Sequence, residues 1–208
     1  MIRNRIATCL WFDHGQVREA AEFYVTTFPD SHLDARRSAP TDGPDSKRGA
    51  EISVEFTVLG MPFVAVNGGP HFRFSEAISF QVYTDGQGET DRYWTAIVGN
   101  GGTESRCGWC KDKFGVSWQI LPRALLAAIS DPDAAAAKRA MDAMMGMARI
   151  DIAGIDRART GKPLVRRTPR SLLGAGPSLN SPCSSMAQPP SSKPARSSSI
   201  SPRSTPAP

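Results

Sequence analysis

The sequence predicts an α+β fold in which one order of elements, a strand, a helix and further strands, occurs twice. Apolar and polar residues alternate strictly from Glu51 to Val58, which is the period of a half-buried strand. Apolar residues recur at helical spacing from Gln16 to Thr27 and again from Glu89 to Val98. The chain therefore repeats the order strand, helix and strands, which predicts two similar α+β halves.

Turn residues separate the elements of the first half. Asp13-His14-Gly15 ends the first strand, Pro29 ends the helix, and Gly60-Met61-Pro62 joins two strands into a predicted hairpin. The predicted elements are a strand at 5–12, a helix at 16–27, a short polar edge strand at 33–38 and hairpin strands at 51–58 and 63–66.

The second half repeats this order and adds helical sequence at its end. Its predicted elements are a strand at 77–83, a helix at 89–98, and strands at 103–111 and 116–121. Beyond Pro122, a helix capped by Ser130 with Pro132 at its start is predicted to continue to Met147.

The last part of the chain has a different composition. From Thr160 to Pro208 there are 12 Ser, 10 Pro, 7 Lys or Arg and no Asp or Glu. Such a segment buries too little apolar surface to offset the entropy of ordering, so we predict a folded domain at 3–158 and a disordered tail at 159–208.

The tail also accounts for the basic character of the chain. Subtracting the 7 basic residues of 160–208 from 25 leaves 18, against 20 acidic residues, so the rest of the chain carries a charge of −2. We therefore predict no specific nucleic-acid partner. No apolar run approaches the roughly 20 residues that span a bilayer, and the N-terminus lacks a signal-like apolar segment, so a cytoplasmic protein without a membrane partner is expected.

Four separated segments resemble PhnB-like proteins of the glyoxalase/bleomycin-resistance/dioxygenase (vicinal oxygen chelate) superfamily. Together they span nearly all of residues 5–158; they are CLWFDHGQVREAAEFYVTTFPDS, NGGPHFRFSEAISFQV, CGWCKDKFGVSWQILP and SDPDAAAAKRAMDAMMGMARIDIAGI. The resemblance implies two βαβββ modules whose curved mixed sheets enclose a ligand-binding cleft, with C-terminal helices. Proteins of this group often carry the label 3-demethylubiquinone-9 3-methyltransferase.

Strand periodicity predicts which side chains face the cleft. The residues predicted to pack beneath the helices are Ile52, Val54, Phe56, Ile78, Phe80 and Val82. Those predicted to face the cleft are Ser53, Glu55, Thr57, Ser79, Gln81, Tyr83, Ser117 and Gln119. Our candidate ligand-binding residues are Trp11, Glu55, Asn67, His71, Ser79, Gln81, Trp109 and Gln119, and Glu55 is a weak candidate for a catalytic base.

Metal-dependent relatives place His and Glu ligands on the inward faces of their strands. Here the last strand offers neutral Gln119, and neither the first strand nor the strand at 77–83 contains His. His14 and His71 lie in predicted loops and His32 lies beside the polar edge strand. We therefore expect no metal and no other cofactor.

Two further motifs lack the structural context that their usual chemistry requires. Cys107 and Cys110 have C-x-x-C spacing but lead into a β-turn rather than a helix, which favours structural cysteines over a thioredoxin-like pair. The glycines at 99–102 and 68–69 do not lie between a strand and a helix, so they do not predict an S-adenosylmethionine site.

Two functions remain open from the sequence. One is a metal-independent protein that binds a small molecule through Trp and Phe contacts and Gln and Ser hydrogen bonds. The other is an enzyme of the superfamily: a metal-assisted lyase, isomerase or transferase, or the methyltransferase of the label. Because related folds often pair their modules between subunits, we expect a homodimer.

Overall fold

The computed structural model describes residues 5–13, 15–43 and 46–161, and in this part of the chain the predicted α+β repeat is confirmed. The first module contains β1 (Thr8–Phe12), α1 (Val17–Thr27), β2 (His32–Ser38), β3 (Glu51–Val58) and β4 (Met61–Asn67). The second contains β5 (Phe80–Thr84), α2 (Gln87–Val98), β6 (Thr103–Glu104), β7 (Trp109–Lys111) and β8 (Ser117–Pro122). Three helices follow: α3 (Arg123–Ile129), α4 (Ala134–Met145) and α5 (Ile152–Arg159).

Each module forms a four-stranded mixed sheet with the same topology. The strand orders are β1-β4-β3-β2 and β5-β8-β7-β6. In both sheets the first and last strands of the module pair in parallel, and the other pairs are antiparallel. The structure therefore repeats a βαβββ unit. Of the disordered tail predicted at 159–208, residues 162–208 lie outside the described residues, whereas Arg159 is the last residue of α5.

The predicted strand at 103–111 is two strands in the structure. Cys107 and Gly108 have φ angles of 60° and 80°, and the Trp109 amide donates to the Arg106 carbonyl at 3.0 Å. This turn interrupts the extended backbone between β6 and β7 and completes the second module. Sequence alternation alone did not reveal it, because the left-handed conformation falls on a cysteine as well as on a glycine.

Two further predictions need correction. The strand predicted from Ala77 begins only at Phe80, so Ile78, predicted beneath the helices, is 60% exposed. The helix predicted from a Ser130 cap begins at Ala134, because the Asp133 side chain accepts a hydrogen bond from the Ala135 amide at 2.9 Å. The separate helix α3 was not predicted.

The helix-covered faces of both sheets share one core. Phe28, at the end of α1, lies 5.1 Å from Trp118 of β8 and 5.0 Å from Tyr93 of α2, measured between ring centroids. Tyr24 contacts Phe56 of the first sheet and Trp118 of the second. Each sheet therefore has its helix-covered face toward this core. We call the opposite face of each sheet its outer face.

The C-terminal helices pack around a smaller core, and backbone hydrogen bonds connect them to the second module. The residues of this core include Leu121, Leu125, Ala140, Ile150 and Ile155. The Cys107 and Gly108 amides donate to the Met147 and Ala148 carbonyls at 2.7 and 2.8 Å. Among the described residues no helix is long and apolar enough to cross a membrane.

Candidate functional site

The outer face of the second sheet carries a continuous row of polar side chains. Tyr83 Oη donates to Gln81 Oε1 at 2.7 Å, Gln81 Nε2 to Gln119 Oε1 at 3.2 Å, and Gln119 Nε2 to Ser79 Oγ at 2.8 Å. We call Ser79, Gln81, Tyr83 and Gln119 the glutamine row. It brings together three residues that the sequence predicted to bind a ligand, and Tyr83, which was predicted to face the cleft.

Strand register explains why these side chains meet. Gln81 and Gln119 are direct partners in the parallel β5–β8 pair, and Trp109 is the partner of Gln119 across β7–β8. Since paired residues project from the same face, the half-buried Trp109 indole borders the row. The face thus offers amide and hydroxyl groups beside an aromatic surface.

Glu55 lies on the outer face of the other sheet. It is buried, and its Oε1 accepts hydrogen bonds from Arg37 Nε at 3.1 Å and Arg37 Nη2 at 2.6 Å. Glu55 is therefore an ion-paired carboxylate on a different sheet from the glutamine row. The sequence contained a signal for this pair, since basic Arg36 and Arg37 lie on the edge strand that precedes β3.

The other predicted residues lie at the end of the first sheet and in the connection after it. Trp11 Nε1 donates to the Gly69 carbonyl at 2.9 Å, and its ring covers Gly68 so closely that a Cβ there would lie 1.9 Å from it. Asn67 Nδ2 donates to the Glu51 carbonyl at 2.8 Å, while its buried Oδ1 has no partner among the described residues. His71 is exposed. His14 lies outside the described residues.

The donor set of the outer faces does not fit a divalent metal ion. No group of three His, Cys, Asp or Glu side chains within the described ranges is arranged to hold one. The glutamine row supplies neutral amides and hydroxyls, and the Glu55 carboxylate is bound to Arg37. A metal-binding site requires several anionic or imidazole donors that converge, so we assign no metal chemistry to these residues.

The cysteines of the C-x-x-C motif have structural surroundings. Burial raises the pKa of the Cys110 thiol to about 12, and the nearby Asp112 charge adds to the effect. Cys107 is buried, and its Sγ lies 3.6 Å from Met145 Sδ. A reactive thiol needs a lowered pKa, so the structure supports the interpretation of these residues as structural.

Asp112 is a buried carboxylate in the turn between β7 and β8, and it was not among the predicted site residues. Its Oδ2 accepts from Tyr24 Oη at 2.8 Å and Trp118 Nε1 at 2.9 Å, and its Oδ1 from the Phe114 and Val116 amides at 2.9 and 3.0 Å. Burial raises the pKa of Asp112 against the lowering effect of these hydrogen bonds. Burial, with the Asp112 charge, likewise raises the pKa of Tyr24 well above 10.

This site faces the core, away from the outer faces. Tyr24 comes from the first module, while Asp112 and Trp118 come from the second, so the carboxylate joins the two modules. The sequence signal for this buried carboxylate was the acidic residue at the start of the Asp112-Lys113-Phe114-Gly115 turn. Asp at the first position of a turn commonly accepts hydrogen bonds from the backbone amides that follow it.

Comparison with known proteins gives the family. A family model described as 3-demethylubiquinone-9 3-methyltransferase matches residues 4–121, more than half of the 208 residues. The chain belongs to this family. The predicted membership of the PhnB-like group that carries this label is therefore confirmed. Helices α3 to α5 lie beyond the matched segment, and no curated protein matches the chain.

Solved structures of this kind include a PhnB protein from Bacillus cereus that carries the same description. It is 28% identical to this chain, covers 57% of it and 99% of its own length, and superposes with a TM-score of 0.51. The protein PA1353 from Pseudomonas aeruginosa is 20% identical over 57% of this chain and 97% of its own length, with a TM-score of 0.48. The fosfomycin resistance protein FosX from Listeria monocytogenes, in a complex with Mn(II) and sulfate, is 13% identical over 57% of this chain and 90% of its own length, with a TM-score of 0.40.

Proposed function

We propose that this member of the 3-demethylubiquinone-9 3-methyltransferase family is a metal-independent protein that binds a small organic molecule on the outer face of its second sheet. The glutamine row is the observation that carries the proposal. Gln81 and Tyr83 are exposed, and the row ends beside the Trp109 indole. Small-molecule sites typically combine an apolar wall with a few oriented polar groups, and this face offers both.

The chemistry of the row favours a neutral ligand with an aromatic or apolar body. Each amide side chain supplies both donors and acceptors, and none of the four side chains is charged at neutral pH. The Arg123 guanidinium lies 5.6 Å from the Tyr83 ring but is paired with Asp85 at 3.1 Å. A ligand would therefore exchange hydrogen bonds with amides rather than neutralise a charge.

We further propose that the working form is a homodimer. A cleft needs two walls, and the outer faces of one chain's sheets point away from each other across the core. A second copy would supply the missing wall, as the pairing of modules in related folds suggests. Light scattering that finds only monomers at micromolar concentration would contradict this arrangement.

An enzyme is the alternative, either metal-assisted or the methyltransferase named in the family description. The Arg37 pair at Glu55 and the amide-rich outer face disfavour the first. Gly86 and Gly88 lie where β5 joins α2, but they belong to a mixed sheet rather than the parallel α/β sheet of dinucleotide-type sites. Micromolar binding of S-adenosylmethionine in calorimetry would support the methyltransferase.

A thermal-shift screen of small molecules, run with and without divalent metals, tests the proposal. We expect ligands that raise the melting temperature without metal, because binding to the folded state alone stabilises it. Gln119→Ala should abolish the shift by removing the centre of the row, whereas Glu55→Gln should retain it. For neutral ligands, shifts that require a metal, or that survive Gln119→Ala, would contradict the proposal.

A further inference from the structure

A pocket of about 290 Å³ lies away from the glutamine row, where the end of β1, the connection between the modules and the turn before β8 meet. Aromatic side chains form much of its wall. Trp11 and Phe72 meet edge to face with centroids 5.0 Å apart, and the buried Phe12 ring contacts Phe74 at 5.4 Å and Phe114 at 5.9 Å. We call this space the aromatic pocket.

The polar lining of the aromatic pocket includes two side chains that have no other partner. Arg73 and Gln16 line it, and neither side chain makes a hydrogen bond or ion pair with another described residue. Lys113, also in the lining, is paired with Glu19, and the lining acid Asp13 has an interaction of its own. Arg73 is thus the uncommitted cation beside the aromatic wall.

Phe72 indicates that the pocket is built for an apolar occupant. Its side chain is 66% exposed although it belongs to a motif whose neighbour Phe74 packs against the core. An exposed ring next to Trp11 leaves apolar surface in water, and a flat ligand would cover it. The volume corresponds to roughly ten water molecules at about 30 Å³ each, which suits a ligand of one or two rings.

We propose that the aromatic pocket binds a planar aromatic carboxylate of one or two rings, with the rings against Trp11 and Phe72 and the carboxylate on Arg73 and Gln16. Arg matches a carboxylate with two parallel N–H donors, and the Gln amide adds a third. The pocket opens at the start of α1, where no side chain caps the first turn, so the helix dipole adds to the attraction for an anion. This site is independent of the proposed function.

Calorimetric titration of the full chain with 1-naphthoate, compared with its neutral isostere 1-naphthamide, tests the proposal. We expect naphthoate to bind at least tenfold more tightly than the amide. Arg73→Gln should reduce naphthoate affinity at least tenfold and leave the amide unaffected, and Phe72→Ala should weaken both. Both residues are exposed, so the variants should keep the melting temperature of the parent protein.

Matched controls separate this site from the glutamine row. Arg36→Gln removes another exposed arginine, on β2, whose side chain makes no hydrogen bond or ion pair with another described residue, and it should not change naphthoate binding. Gln119→Ala should also leave it unchanged. Equal affinity for naphthoate and naphthamide, no binding at millimolar concentration, or loss of binding in Gln119→Ala instead of Arg73→Gln would overturn the proposal.

Discussion

At the scale of single residues, Asp112 is a buried carboxylate that depends on hydrogen bonds to the protein in place of water. Four donors contact its two oxygens. Two of those donors, Tyr24 and Trp118, are themselves buried aromatic side chains whose ring centroids lie 5.4 Å apart in the shared core. The carboxylate therefore fixes the relative position of both rings as well as the turn that contains it.

Replacing this carboxylate by an amide should be costly. In Asp112→Asn an amide nitrogen must face donors on one side of the group, so at least one buried donor loses its acceptor. We expect the free energy of unfolding to fall by about 2 to 3 kcal/mol, measured by urea denaturation. Asp142→Asn on the exposed face of α4 is the control and should change stability by no more than about 0.5 kcal/mol.

The raised pKa of Asp112 also predicts a pH dependence. The folded state binds this proton more tightly than the unfolded state, so the stability contributed by protonation is complete below the ordinary value of 3.8 and is lost as the pH rises through the raised pKa. Because the Tyr24 hydrogen bond lowers the pKa of Asp112, Tyr24→Phe should raise it further. A carboxyl-carbon NMR titration checks both statements. A midpoint below 3.8 in the parent protein would contradict them.

At the scale of elements, the turn between β6 and β7 connects the second module to the C-terminal helices. Gly108 has a φ of 80°, and its amide and carbonyl both pair with other segments, donating to Ala148 and accepting from Ile120. A Cβ at this position would lie 2.8 Å from the Ile120 carbonyl oxygen. Glycine is thus required at this position for two reasons: its positive φ angle, and the lack of room for a Cβ atom.

Gly108→Ala should consequently destabilise the protein by about 2 to 3 kcal/mol, because it adds left-handed strain to a backbone clash. Gly88→Ala is a matched control in the first turn of α2, where a Cβ meets nothing within 4 Å. It should be neutral or slightly stabilising, since alanine favours helix over glycine. Thermal unfolding of the two variants compares them directly, and equal losses would refute the explanation.

How far the sequence predicts these elements depends on where the determining contacts lie. The strand at 51–58 was predicted with its exact limits, because strict alternation encodes a sheet with one buried face. Gln81 and Gln119 could be placed on one face by parity for the same reason. The Arg37–Glu55 pair, the Asp112 network and the β6–β7 turn depend on contacts between segments distant in sequence or on rare backbone angles, which periodicity does not record.

At the scale of the whole molecule, the end of α5 is held by side-chain contacts with α4 and with the residues that precede α4. The Arg139 guanidinium donates to the Ala158 and Arg159 carbonyls at 3.1 and 2.7 Å, and Arg159 pairs with Asp131 at 2.6 Å. These contacts stabilise the end of α5, and all the residues that make them lie before residue 161.

A chain ended after Gly161 should therefore keep the melting temperature of the full chain to within about 2 °C. It should also elute as an acidic rather than a basic protein in ion exchange, since residues 162–208 hold 7 Lys or Arg and no Asp or Glu, and their removal leaves 18 basic against 20 acidic residues. Differential scanning calorimetry measures the first effect. A drop of 5 °C or more would show that residues 162–208 stabilise the domain.

The shared core has a consequence for the origin of the molecule. Each module covers the apolar face of its sheet with the help of the other, so a single βαβββ unit on its own would expose more of side chains such as Phe63 and Trp118, which contact rings of the other module. A single-module ancestor would have needed a second copy of itself to become soluble. The tandem chain makes that partnership covalent, and each half has since been able to diverge on its outer face, one to an arginine–glutamate pair and the other to a row of amides.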